Sequence, residues 1–261
     1  MNIINLIPLI YSKFIVFIFI LARISALFAT FIVFRRQRVD PRILLALSVL
    51  LAIYVMLFYQ KESSYNDLFN LKAFLEIGYQ SLIGFLSGLV LNIVFEVFVA
   101  VGQIISTQTG LSLASVIDPT MGSITTLTQF YSFSLILVFL LLDGHLFIIK
   151  TIVDSFSVLP IGHYLFFTRS FSIILDYSSV IFSGAIMLSI TVIIAIFVTN
   201  FSLAVMSRFA PQFNLFSIGV NLTLILGLIC VYVTFDLLIS RGTDFIQQNL
   251  SLLQSVILGL K

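Results

Sequence analysis

Charge is what this 261-residue sequence has least of: charged residues make up 9% of it, against roughly 25% in soluble domains. The scarcity extends to the residues of chemistry. The single cysteine, Cys230, lies inside an apolar run, which excludes an intrachain disulfide and leaves the redox compartment open. The two histidines, His145 and His163, have no cysteine or carboxylate cluster beside them to complete a metal ligand set. Asp143 and His145 are two residues apart and would not share a helix face. There is no glycine-rich phosphate loop, no HExxH and no serine in a nucleophile-elbow context. No catalytic, cofactor-binding or metal residue is therefore assigned, and the reading is of a protein that is not an enzyme. A net charge of +2 is too small to suggest nucleic acid.

What the sequence does have is apolar length. Sixty per cent of the residues are hydrophobic and the mean hydropathy is +1.19, which reads as an all-α polytopic membrane protein of long apolar helices. Residues 6–34, 43–59, 73–101, 127–149, 180–206 and 215–235 form six apolar runs. The N-terminal stretch leads into apolar sequence too long for a signal h-region and reads as retained. Arg35, Arg36, Arg38 and Arg42 cluster after the first run, as at a cytoplasmic helix end. Lys13, Lys61, Lys72, Lys150, Arg169, Arg241 and Lys261 fall on the opposite side if the spans alternate. Density and count disagree, as expected when the apolar segments do not all cross a bilayer independently. Arg23 sits inside the first run, where a charge must face protein or water. Pairing with a neighbouring helix is favoured over a place on a substrate path.

Residues 107–123 form the stretch around which the rest is arranged. Gly110, Gly122, Asp118-Pro119 and scattered Ser and Thr break helix there, yet Leu111, Leu113, Val116, Ile117 and Met121 make it too apolar for a solvated loop. Irregular backbone at membrane depth persists only when buried in protein or lining a wet cavity. A re-entrant segment that lines or plugs a passage fits both conditions. Upstream, Gln80, Gly84, Gly88, Asn92, Glu96 and Ala100 recur every four residues, and Gly84 with Gly88 forms a GxxxG. Gly84, Gly88, Asn92 and Glu96 are thus expected at a helix contact.

Downstream, Asp143-Gly144-His145 marks a place where a helix ends or bends. Residues 151–179 read as a shorter hairpin or amphipathic connection, with a turn at residues 159–162. Residues 207–214, with Arg208, Pro211, Gln212 and Asn214, form a tight link that makes the last two runs an antiparallel hairpin. In the tail, Ile246, Leu250, Leu253, Ile257 and Leu260 draw one apolar stripe on a polar helix, suited to a partner helix. The domain reading is a single unit: N-terminal helices 1–101, plug segment 102–126, central helices 127–206, hairpin link and last long helix 207–240, and amphipathic tail 241–261.

LARISALF at residues 21–28, GLSLASVIDPTMGS at 110–123, LDGHL at 142–146 and SRFAPQFNLFSIG at 207–219 resemble the corresponding blocks of the FliR family, the flagellar members of the type III export gate. The FSIG continuation looks flagellar rather than like a virulence-secretion relative. The sequence departs from the family after Gly219, with Asn221 and Thr223 where a proline and a lysine commonly follow, and around residues 31–35, where the usual proline and glycines are missing.

The resemblance implies a subunit that joins FliP and FliQ, with an FlhB-like component, in a channel for unfolded flagellar export substrates. The setting would be the bacterial inner membrane at the flagellar basal body. It implies that the closing plug maps onto Gly110, Leu111, Ser112, Leu113, Ala114, Ser115, Val116, Ile117, Asp118 and Pro119, the apolar members sealing and Gly110 turning the chain. Asp118 suits an N-cap, with Pro119 at the first helical position. A secondary transporter would show repeated halves with matching interruptions, and a structural membrane scaffold would need no plug.

Overall fold

The computed structural model describes residues 3–34, 39–58, 70–112, 125–162, 168–209 and 215–259. Within these, the chain forms seven α-helices: α1 (Ile3–Thr30), α2 (Pro41–Phe58), α3 (Leu71–Thr109), α4 (Thr126–Leu141), α5 (Gly144–Val158), α6 (Thr168–Phe209) and α7 (Leu215–Gly259). A single 3-10 turn, Ile32–Phe34, follows α1. Five helices are long and apolar enough to cross a membrane, or up to six spans if the bent pair α4 and α5 counts as one. The chain is an all-α membrane protein.

Local chemistry sets the helix starts. The Asp40 carboxylate accepts from the Arg42 N–H at 2.9 Å, so Asp40 caps α2 with Pro41 at the first helical position, where its missing N–H costs nothing. The Asn70 side chain accepts from Lys72 N–H at the start of α3. Thr125 opens α4 from an extended conformation, its hydroxyl accepting from Thr128 N–H. Between α4 and α5, Asp143 stands at φ 53, a left-handed conformation that Asp adopts more readily than most residues. There α4 ends and α5 begins, at the place where the sequence signals an end or bend.

Two compact units divide the chain. The first holds residues 1–92, 143–176 and 249–261. In it α2 packs on α1, and Ile15, Phe19 and Ala73 form a core with Tyr11, Ile77 and Ile161 against it. A second cluster joins Ile83 to Leu159. The other unit holds residues 93–142 and 177–248. Its packing includes the edge-to-face pair Phe95 and Phe139, 5.7 Å between centroids, and Phe130 against Phe235 at 5.5 Å. In this unit Gly219 lies against Leu203, Gly227 against Ile196 and Gly184 against Phe245. The numbers on α7 rise as those on α6 fall, so the two helices run antiparallel.

Two stretches differ from the sequence reading. Residues 168–179 are the opening turns of α6, which runs for 42 residues, so the helix after the turn is much longer than a short hairpin or connection would have; no glycine or proline interrupts it before Gly184. The tail and the last apolar run are one continuous helix of 45 residues. Gly242, at their junction, lies inside the helix with Phe98 and Leu135 close by. A glycine there costs about 1 kcal/mol, which packing readily offsets. The tail's stripe finds its partner helix within the chain: Leu253 and Ile257 are buried beside Arg23 and Ser87.

Candidate functional site

The most polar spot in the first unit is built around Arg23, 1% exposed in the middle of α1. Its Nε donates to Gln80 Oε1 at 2.7 Å, Nη1 to Ser155 Oγ at 3.0 Å and Nη2 to the Leu159 carbonyl at 2.9 Å. The guanidinium lies 4.0 Å from the Phe156 ring centroid, a cation–π arrangement worth roughly 0.5–2 kcal/mol. Gln80 passes the network on, its amide donating to Glu76 Oε1 at 2.6 Å. The same oxygen accepts from Gly162 N–H at 3.0 Å. Glu76 is 0% exposed. A buried cation and a buried carboxylate thus share one glutamine, and together they tie α1 and α3 to the turn after α5. A charge withdrawn from water is tolerable only with such a set of partners.

Glu76, Ser155, Leu159 and Gly162 escape the sequence reading as members of this cluster. Glu76 could have been found: the four-residue spacing of Gln80, Gly84 and Gly88 extends back one step to it. Ser155 and Leu159 could not, since 132 and 136 residues separate them from Arg23.

The α3 stripe lies along α1. A Cβ on Gly84 would stand 2.1 Å from the Arg23 carbonyl oxygen, and one on Gly88 2.7 Å from Thr30 Cβ. One turn on, Asn92 Oδ1 accepts from Ile32 N–H at 2.7 Å and its amide donates to the Thr30 carbonyl at 2.8 Å. Contacts on both helices rise together in number, so α1 and α3 run parallel. The arrangement closes the end of α1, whose last carbonyl would otherwise lack an intrahelical donor. Glu96 is half-buried on the following turn, in the part of α3 that belongs to the second unit.

Of the segment expected to be a plug, the described part is its beginning. α3 ends at Thr109; Gly110 takes φ 81 and donates its N–H to the Thr107 carbonyl, while Ser112 N–H reaches Ser106. Gly110 therefore turns the chain, in a conformation that costs other residues about 1–2 kcal/mol. Leu111 and Ser112 are half-buried. Leu113, Ala114, Ser115, Val116, Ile117, Asp118 and Pro119 lie outside the described residues, as do Pro211, Gln212 and Asn214 of the hairpin link. Arg208 is exposed in the last turn of α6. In the second unit, α3 and α4, which flank the segment, approach closely, and α7 meets the end of α3. A Cβ on Gly102 would meet Thr128 Cα at 2.5 Å, and one on Gly227 would meet Thr109 Cγ2 at 2.1 Å.

Known proteins share sequence with most of this chain. The family of bacterial export proteins, family 1, matches residues 14–249. The flagellar biosynthetic protein FliR of Buchnera aphidicola subsp. Baizongia pistaciae is 31% identical over 85% of this chain and 88% of its own. FliR of Escherichia coli is 30% identical over 80% and 79%. The surface presentation of antigens protein SpaR of Shigella flexneri is 35% identical over 58% of this chain and 59% of its own. With a match that runs from α1 into α7, the chain belongs to the FliR-containing family of bacterial export proteins.

Proposed function

We propose that the chain is a subunit of a flagellar type III export gate in the bacterial inner membrane, at the flagellar basal body. It assembles there with FliP and FliQ, beside an FlhB-like component, to form the channel that unfolded flagellar proteins traverse. Residues 110–119 act as its closing plug, and the chain contributes structure and gating rather than catalysis.

The observation that carries this reading is the exposed face of α6. Phe171, Phe182, Ile194, Phe201 and Phe209 are all at least half exposed, and they extend over about 57 Å of helix at 1.5 Å per residue. The hydrocarbon of a bilayer is about 30 Å thick. Fitting the whole face into it would need a tilt of roughly 60°, whereas spanning helices stay below about 40°. Lipid covers part of such a face and protein must cover the rest, which suits a subunit of a hetero-oligomer. The close glycine contacts of Gly102 and Gly227 around the ends of the plug segment support a loop held from a firm base.

The test is co-purification from membranes in mild detergent with FliP and FliQ, followed by mass determination of the intact particle. A stable hetero-oligomer is expected. A monodisperse particle of this chain alone would overturn the reading in favour of a secondary transporter or a scaffold without a pore.

A further inference from the structure

Beside Arg23 lies a small cavity of about 10 Å³, whose polar lining comes from Arg23, Ser87, Thr151 and Ser155. The remaining wall is aliphatic and includes Leu253 and Ile257 from the end of α7. Space of this size is about the minimum for one water molecule, which also needs two to four polar partners. Thr151 is 6% exposed, and no hydrogen bond joins its hydroxyl to another described residue. The Thr151 side chain lines this space, and a water bound there would partner its hydroxyl.

We infer that this cavity is a binding site for a single structural water. The Thr151 hydroxyl donates to it, and the water donates in turn to Ser87 Oγ, whose own proton is committed to the Ile83 carbonyl. Ser155 Oγ, which accepts from Arg23 and donates to the Ile152 carbonyl, offers a further lone pair. The occupant is water rather than a halide for two reasons. The guanidinium already faces three oxygens and reaches a carboxylate through Gln80, and the aliphatic wall gives a bare anion no solvation. The water extends the Arg23 network to Thr151 on α5 and Ser87 on α3. Leu253 and Ile257 of α7 form part of the cavity's wall. This inference is independent of the export reading.

The test is a density map of the full-length protein, in whatever assembly it purifies with, at a resolution that shows other buried waters. Thr151→Val and Thr151→Ser are compared by thermal unfolding in the same detergent. Expected are a density peak within hydrogen-bonding distance of Thr151 Oγ1, loss of that peak with a Tm lower by about 2–4 °C in Thr151→Val, and near-native behaviour of Thr151→Ser. An empty cavity in such a map, or a Thr151→Val protein as stable as the native one, overturns the proposal. So does a Tm that rises with bromide in the native protein but not in Thr151→Val, which would make the occupant an anion.

Discussion

The backbone carbonyl of Arg23 stands 2.1 Å from the point where a Cβ on Gly84 would be. The obstacle is backbone, so no rotamer change relieves it, and α1 and α3 must separate to admit even a methyl group. Gly84→Ala is expected to destabilise the protein by about 2–3 kcal/mol and to lower its level in membranes. Gly78, on the same helix with nothing within 4 Å, is the control: Gly78→Ala should be neutral or stabilise by up to about 1 kcal/mol. Thermal unfolding of the two variants side by side checks both. Equal behaviour would mean that the helices do not meet at Gly84.

Arg23→Met keeps much of the side chain's bulk and removes its donors. It leaves Gln80, Ser155 and the Leu159 carbonyl without the guanidinium and Glu76 as a buried carboxylate without its cation, at an expected cost of about 3–5 kcal/mol. Arg23→Lys retains the charge but not the planar fork that reaches three acceptors. It should fall well short of native stability. The measurement is accumulation and Tm in detergent, and a native-like Arg23→Lys would show that charge alone suffices.

Gly227 and Thr109 invite a paired test, because here the obstacle to a Cβ is a side-chain methyl, Thr109 Cγ2. Gly227→Ala should destabilise, and adding Thr109→Ser, which deletes that methyl, should recover most of the loss. A coupling of about 0.5–3 kcal/mol is expected from a double-mutant cycle. Strict additivity would contradict the contact.

Gly110 adopts φ 81 at the end of α3, so a larger residue is strained there before its charge is considered. Gly110→Glu is expected to loosen closure of the proposed plug and to raise ion leakage in cells that carry the assembled gate. Leakage unchanged from the native protein, at equal membrane levels, would count against residues 110–119 as the plug.

How far the sequence reached depended on the range of each interaction. Helix identity and the α3 stripe were legible because spacing of four is a local property, and the same spacing would have led to Glu76. The bend at Asp143 was legible from Asp-Gly in an apolar run. The continuity of α7 was not, because Gly242 is a breaker by propensity and a packing residue in context, against Phe98 and Leu135. The start of α6 is not legible, because Arg169 and Asp176 put charges into its first turns, whereas the length of uninterrupted helix decides. The acceptors of Arg23 on α5 and the turn beyond it lay out of reach, since no periodicity links residues more than a hundred apart.

The distance along the chain between Arg23 and its partners also orders events in biosynthesis. Ser155 and Leu159 are 132 and 136 residues downstream, and at a synthesis rate of about 5–20 residues per second they emerge on the order of ten seconds later. For that interval the newly made first helix carries an arginine whose insertion alone costs roughly 2.5–3.5 kcal/mol. The apolar residues around Arg23 offset that cost, so α1 can enter the membrane ahead of its partners, and its guanidinium then meets Gln80 of α3 first and Ser155 and Leu159 last.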